Sequence, residues 1–213
     1  MKEIIGLIIK DCMTLKSYMK TIIFMIILFS VCMYINGDIT SFMPVYIPLF
    51  FGILAISSFS YDNLSKSDKY LLTFPVSKKD VVKARYLYVL LITFVGSILG
   101  FLLTVFIALI NNKVNFDLES VLSTLLGAVC GISIFQILQI PIMYKFGAEK
   151  GRMIQIILVV ALMVIISVAI TMVNGFPLNM VEKYGVIIGC VAIVLLYVLS
   201  YKISCKIYEK KEF

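Results

Sequence analysis

The sequence contains no histidine and no tryptophan among its 213 residues. The absence of histidine excludes Ser–His and Cys–His catalysis, histidine-ligated metal sites and histidine proton relays. Charged residues are also scarce, at 15% of the chain, whereas an average soluble domain has about 25%. A soluble globule built from this chain would leave large apolar areas facing water, so lipid is the more natural solvent.

Two further kinds of site are missing from the sequence. The five cysteines form no CxxC pair and no cluster, so neither a disulfide framework nor a zinc site is indicated. No Gly-x-x-x-x-Gly-Lys-Ser/Thr motif is present, so the chain lacks the usual P-loop for nucleotide phosphates. We therefore predict no catalytic residue, no metal ligand and no cofactor bound directly by this chain.

Long apolar runs make up most of the chain. Hydrophobic residues account for 62% of the sequence, and the mean hydropathy is +1.06. The hydrocarbon core of a bilayer is about 30 Å thick and needs about 20 apolar residues per helix. Six runs predict an all-α polytopic membrane protein with six transmembrane helices, at 21–35, 42–60, 86–110, 121–144, 153–173 and 184–201. The first run is short, and we expect its helix to begin near Ser17.

The basic residues are divided unequally between the breaks that separate these runs. Seventeen of the nineteen Lys and Arg residues lie in the N-terminal segment, in 61–85, in 145–152 or in the tail 202–213. Only Lys113 and Lys183 lie in the other breaks. The positive-inside rule therefore places both termini in the cytoplasm. The net charge of +7 does not indicate nucleic acid binding, because the basic residues are scattered between apolar runs.

Residues 1–18 precede the first span and have apolar side chains at three- and four-residue spacing. Lys10, Asp11 and Lys16 mostly fall on another face. The pattern indicates an amphipathic helix along the inner leaflet, and a simple cytosolic extension of the first span is the alternative. We treat 1–213 as a single transmembrane domain with this helix, two cytoplasmic loops at 61–85 and 145–152, and a cytoplasmic tail at 202–213.

The loop 61–85 is the longest polar break. Pro75 disfavours helix at the residue before it. Ser77 and Asp80 form a variant of the capping box, which predicts a helix that starts near Ser77 and continues into the third span. The apolar pair Leu71 and Leu72 offers a surface on which a protein partner would dock. A loop that rests on lipid headgroups is the alternative.

Small residues and prolines recur inside the apolar runs. Three Gly-xxx-Gly pairs place two small residues on one helix face, so that another backbone can come close: Gly96/Gly100, Gly127/Gly131 and Gly185/Gly189. Pro44 and Pro48 in the second run and Pro141 in the fourth each remove a backbone donor and favour a kink. These features predict a packed helical bundle and no particular function.

Three stretches near the cytoplasmic loops resemble a known family. The runs Ser57-Ser-Phe-Ser-Tyr-Asp62 and Phe74-Pro-Val-Ser-Lys-Lys-Asp-Val-Val-Lys-Ala-Arg-Tyr86 resemble the ABC-2 family of bacterial ABC-transporter membrane subunits. The likeness is to the small six-helix branch that includes exporters of phenol-soluble modulins. The stretch Tyr144-Lys-Phe-Gly-Ala-Glu-Lys-Gly-Arg152 is similar to a second signature of that branch. The sequence departs from the family at 63–68, where a Glu-x-x-x-Trp-like segment is expected.

The resemblance implies a permease subunit of an ABC exporter in the bacterial cell membrane, with a fold like that of type V ABC exporters. ATP would be hydrolysed by a separate ATP-binding subunit, present in two copies, and the permease would pair with a second copy or a paralogue. The cytoplasmic loops would dock these ATPase subunits. The residues assigned to docking are Leu71, Leu72, Phe74, Pro75, Ser77, Asp80 and Arg85 in the first loop, and Gly147, Glu149, Lys150 and Arg152 in the second. Arg152 is either an anchor at the headgroups or a contact to the partner.

Two other functions stay open on the residues alone. An ion-coupled carrier usually has ionisable groups at mid-membrane, whereas no Asp, Glu, Lys or Arg lies well inside any predicted span. A structural or signalling membrane protein needs no such groups. The lack of buried acids also disfavours a membrane-embedded enzyme. The apolar spans favour an amphipathic or hydrophobic cargo, such as a peptide, toxin, antimicrobial or lipid-like molecule.

Overall fold

The computed structural model describes residues 2–36, 39–65, 77–110, 117–173 and 179–210, and nearly all of them are helical. The helices are α1 (Lys2–Asn36), α2 (Ile39–Ser65), α3 (Lys78–Ile110), α4 (Leu118–Val173) and α5 (Asn179–Glu209). No strand occurs in these ranges, so the all-α prediction is confirmed for the described part of the chain. By its contacts the chain divides into two compact units, Met1–Gln136 and Ile137–Glu212.

Four helical stretches within the described ranges are long and apolar enough to cross a bilayer. They are Phe42–Phe59, Lys78–Leu109, Leu118–Gly147 and Val191–Glu209, and they overlap the second, third, fourth and sixth predicted spans. A bent pair within α1, Ile4–Lys16 and Tyr18–Val31, raises the number to five if it crosses as one span. The fifth predicted span, 153–173, is helical and lies in the second half of α4. The chain is thus a multi-pass membrane protein, and the number of six spans stays a prediction.

The N-terminal half of α1 exposes an apolar face and buries a charged residue. The helix bends by 57° around residue 17, where the sequence separates the N-terminal helix from the first span. Ile5, Ile9 and Met13 follow one another at four-residue spacing and are exposed, so they share one face. Asp11 and Leu15 lie on the other side and are buried against the protein. An apolar row facing outward is consistent with a helix at the lipid interface, and that location stays a prediction.

In the first unit, glycines of α3 allow α2 to come close. A Cβ atom added at Gly96 would lie 2.6 Å from the Cβ atom of Phe51. A Cβ atom added at Gly100 would lie 3.2 Å from the Cδ atom of Pro48. Close approach across a Gly-xxx-Gly pair is thus confirmed here. Because lipid tails are as apolar as the side chains, this packing is what holds the helices together.

In the second unit, Pro141 leaves one carbonyl of α4 without its helical partner. A proline has no N–H to donate to the carbonyl of Ile137, four residues earlier. The hydroxyl of Ser200 in α5 donates to this oxygen at 2.7 Å, and the serine is buried. Further along the two helices, the rings of Tyr144 and Tyr208 pack edge to face with centroids 5.2 Å apart. The proline in α4 thus frees a carbonyl, and the serine in α5 binds it, which links the two helices.

The role of Ser200 can be tested by a double-mutant cycle. Ser200→Ala should lower the free energy of unfolding by about 1–2 kcal/mol, because it leaves the Ile137 carbonyl buried without a donor. In a Pro141→Ala background, the restored N–H can donate to that carbonyl, so Ser200→Ala should cost less. Ser123→Ala, at an exposed serine that bonds within its own helix, is the control. Equal costs of Ser200→Ala in both backgrounds, measured by thermal unfolding in detergent, would contradict this account.

Candidate functional site

Four charged side chains meet where α1, α2 and α3 pack together, and they are termed here the charge cluster: Lys10, Asp11, Asp62 and Arg85. The Arg85 guanidinium contacts Asp11 at 3.0 Å and forms a hydrogen-bonded ion pair with Asp62. The Lys10 ammonium lies 2.8 Å from Asp62 and 3.5 Å from Asp11. Each cation therefore contacts both anions, and the four formal charges sum to zero.

Helix α2 surrounds the guanidinium of Arg85 with further partners. The guanidinium donates to the hydroxyl of Ser58 at 2.6 Å, and its central carbon lies 4.6 Å from the centre of the Phe59 ring. Ser58 and Asp62 are four residues apart in α2, so both face α3. Arginine suits such a site because its planar group serves several acceptors and stacks on an aromatic ring at once.

Local sequence around Ser77 determines where α3 begins and so where Arg85 lies. The Ser77 hydroxyl oxygen accepts the N–H of Asp80 at 3.2 Å and donates to the Asp80 carboxylate at 2.5 Å. This is the predicted cap, and α3 begins at the next residue, Lys78. Arg85 then follows seven residues later, two turns into the helix. The cap therefore sets where α3 begins, and with it the position of Arg85 along the helix.

Most of the charge cluster is buried, so its charges have lost much of their hydration. The side chains of Asp11, Asp62 and Arg85 are only 5–8% exposed, and that of Lys10 is 32% exposed. Charges removed from water are tolerated when they are paired and hydrogen-bonded. Removing one partner of such a group leaves a buried charge uncompensated, at a cost of about 3–5 kcal/mol. The charge cluster thus favours the packed arrangement of the three helices that supply it.

The structure corrects the boundaries of the first predicted loop. Helix α2 continues to Ser65 and α3 begins at Lys78, so both ends of 61–85 are helical. The helix predicted from near Ser77 is present, and Arg85, which was assigned to docking, is buried within it against partners in α1 and α2. The remaining predicted docking residues lie outside the described part of the chain, and their role stays a prediction: Leu71, Leu72, Phe74 and Pro75.

The second predicted loop is reduced to one residue that departs from helical geometry. Gly147 has φ 79° and ψ 176°, and α4 is helical on either side of it. The break lies inside the predicted segment 145–152, but it is confined to this one residue. A Cβ atom added at Gly151 would lie 2.8 Å from the sulfur of Met143. Glycine at 151 thus lets the next turn of helix pack beside this methionine.

The docking residues of the second loop follow this break within the helix. Lys150 is exposed, as a contact to lipid headgroups or to a partner requires. The backbone of Glu149 and Arg152 is helical, and their side chains lie outside the described part of the chain. The choice between an anchor and a partner contact for Arg152 therefore stays open.

Alanine at Gly147 tests the strain of this break. The backbone region with φ near 79° and ψ near 176° is essentially restricted to glycine, and a side chain there costs about 1–3 kcal/mol. Gly147→Ala should therefore lower the thermal unfolding temperature. Gly127→Ala is the matched control, because that glycine is helical and no described atom lies within 4 Å of an added Cβ. The control should stabilise the protein by about 0.5–1 kcal/mol, and a similar effect of the two variants would argue against strain.

The charge cluster itself was not predicted from the sequence. Lys10 and Asp11 were grouped on one face of an interfacial helix and were not paired with Asp62 or Arg85. Asp62 is the last residue of one run that resembles the ABC-2 family and Arg85 is the last but one of another, which was the available signal. The contacts join residues separated by up to 74 positions (Asp11 and Arg85), and no local pattern encodes such a pairing.

Comparison with known proteins identifies the family. The sequence model described as "ABC-2 family transporter protein" matches residues 6–209. The chain belongs to the ABC-2 transporter family. Searches of curated proteins and of solved structures found no match. ABC-2 proteins are membrane components of ABC transporters and normally work with an ATP-binding subunit. The match includes all four residues of the charge cluster and both predicted docking loops of this ABC-2 protein.

Proposed function

We propose that this ABC-2 protein is the permease subunit of a bacterial ABC exporter, powered by ATP that a separate subunit hydrolyses. The observation that carries the proposal is the family match over residues 6–209. The apolar spans support an amphipathic or hydrophobic cargo, such as a peptide, toxin, antimicrobial or lipid-like molecule. The cargo path would lie between two permease copies, or between this chain and a paralogue.

The connection between α2 and α3 is the proposed coupling element. Asp62 lies near the end of α2 and Arg85 near the start of α3. Their ion pair therefore holds together the two helix ends that the connection joins. A closing pair of ATP-binding subunits would push on the segment 66–76. The capped start of α3 would pass this push into the membrane as a rigid-body tilt, since helix and cap form one unit.

The proposed assembly has two permease subunits and two ATP-binding subunits in the bacterial cytoplasmic membrane. Each permease would have six spans, with the N-terminal half of α1 along the inner leaflet and both termini in the cytoplasm. The distribution of seventeen of nineteen basic residues among the segments assigned to the cytoplasm supports this orientation. Docking then takes place on the side where ATP is available.

The orientation predicts which introduced cysteines an impermeant thiol reagent can reach. In a cysteine-free background, cysteines at Ser67 and Lys210 should resist the reagent applied to intact cells. A cysteine at Asn112 should react, because the break between the third and fourth spans is assigned to the outside. Permeabilised cells provide the control, in which all three positions should react. Labelling of the Ser67 position from outside would overturn the orientation.

Co-purification tests the function directly. The tagged chain, expressed with an ATP-binding protein encoded beside its gene, should retain that protein through detergent purification. ATP hydrolysis by the complex should exceed that of the ATP-binding protein alone. A permease that retains no ATP-binding protein would favour the structural or signalling alternative. Dissipation of an ion gradient by the isolated chain in vesicles would favour an ion-coupled carrier.

A further inference from the structure

The charge cluster is unequally attached to its three helices. Arg85 holds partners from α2, namely the Asp62 carboxylate and the Ser58 hydroxyl. The contribution of α1 is looser. Asp11 meets Arg85 through one carboxylate oxygen, and its other oxygen accepts no hydrogen bond from the described residues and lies 3.5 Å from Lys10. The contacts of Arg85 with Asp62 and Ser58, termed here the joint between α2 and α3, therefore do not depend on α1.

The charges are also divided so that each side is neutral by itself. Helix α1 supplies one cation and one anion, Lys10 and Asp11, and these two contact each other. Helices α2 and α3 together supply one anion and one cation, Asp62 and Arg85, which form their own ion pair. If α1 moved away, neither side would keep an uncompensated buried charge. Breaking an ordinary buried ion pair is costly because it leaves such a charge behind.

We propose that the N-terminal half of α1 is a clasp that leaves the joint between α2 and α3 as a neutral unit and rejoins it, while the Asp62–Arg85 pair stays closed. The bend around residue 17 gives the position at which the clasp would pivot. Just beyond it, the rings of Tyr18 and Tyr61 pack edge to face with centroids 5.9 Å apart and would keep the rest of α1 on α2. The clasp is a property of the permease alone and does not rest on the proposed function.

Thiol labelling of the full-length chain in detergent can follow the clasp. Leu15 is buried on the same face of α1 as Asp11, so a cysteine at this position reports release of the helix. Lys16 is exposed and polar and supplies the control for an always accessible cysteine. In a cysteine-free background that keeps the charge cluster native, N-ethylmaleimide should label Leu15→Cys at least about tenfold more slowly than Lys16→Cys.

Exchanging the two charges of α1 should open the clasp without changing composition or net charge. Lys10→Asp combined with Asp11→Lys keeps α1 neutral but sets a cation toward Arg85 and an anion toward Asp62. Labelling of Leu15→Cys should then rise to within about twofold of the exposed control. Unchanged protection of this cysteine in the exchanged variant would show that packing alone holds α1, and would overturn the proposal.

A second cysteine reports on the joint that should stay closed. Thr93 of α3 is buried, and its methyl group lies 3.6 Å from a Cβ atom built on Gly52 of α2. Thr93→Cys should stay protected in the exchanged variant. If it labels together with Leu15→Cys, the whole bundle has opened and the proposed separation of clasp and joint is wrong.

Thermal unfolding provides an independent check with milder variants. Lys10→Met leaves the charge cluster with net charge −1, and Asp11→Asn leaves it with net charge +1. The two changes together leave a neutral Asp62–Arg85 pair. Each single variant should therefore lower the unfolding temperature more than the double variant does. A double variant that loses the sum of the two single losses would show independent salt bridges and would contradict the neutral unit.

Discussion

Replacing Arg85 with methionine should lower the free energy of unfolding by about 3–5 kcal/mol, because two buried carboxylates would then share one partly exposed lysine. The side chain of Arg85 is 6% exposed, so solvent gives little compensation. Arg85→Lys should have an intermediate effect. A lysine keeps the charge but cannot reach Asp11, Asp62 and Ser58 at once with a planar fork of donors. Chemical denaturation in detergent micelles measures the loss.

Two variants of α3 and α2 make this result specific to the buried pair. Lys83→Met removes a positive charge from the exposed side of the same helix and should stay within about 0.5 kcal/mol of the native protein. Arg85→Met combined with Asp62→Asn should be less harmful than Arg85→Met alone, because it removes one of the stranded carboxylates. If Arg85→Met behaves like Lys83→Met, the charge cluster does not hold the helices together.

Changing Leu71 and Leu72 together to serine should abolish retention of the ATP-binding subunit. Each leucine buried at an interface contributes area worth about 25 cal/mol per Å², so the pair contributes several kcal/mol. Each 1.4 kcal/mol of lost binding free energy weakens the dissociation constant about tenfold. A loss of several kcal/mol would therefore leave a complex of ordinary affinity too weak to recover in a pull-down. Insertion and expression of the permease should be unchanged, because the pair lies between two helices and not within a predicted span.

The matched control makes the same chemical change on the opposite proposed side of the membrane. Leu118 is exposed at the start of α4 and lies outside the predicted span 121–144. Leu118→Ser should leave the ATP-binding subunit bound. Wild-type retention by the Leu71 and Leu72 variant would exclude this loop as the main dock. The helix after Gly147 or the N-terminal half of α1 would then be the next surface to test.

Features encoded locally were predictable from the sequence. The apolar runs gave the helical class and most of the candidate spans, because hydropathy acts over a window of about twenty residues. The Ser77–Asp80 cap was predicted because a capping box involves only residues three apart. Close packing of another helix at Gly96 and Gly100 was also predicted, although the sequence did not show that Phe51 and Pro48 of α2 are the contacts.

Features that depend on distant contacts were not predictable. The partner that takes over the carbonyl freed by Pro141 comes from another helix, 63 positions from Ile137. The charge cluster needs three helices to be packed before its charges meet. A break was predicted within 145–152, but its confinement to Gly147 was not, for a different reason. Gly147 and Gly151 look alike in sequence, and only the backbone shows which of them leaves the helix.

The two connections on the proposed cytoplasmic side differ in length. Eleven residues, 66–76, separate the described end of α2 from Ser77. The break in α4 consists of Gly147 alone, which adds only about 3.5 Å. One residue gives no slack, so a displacement of the helix before Gly147 would be passed directly to the helix after it.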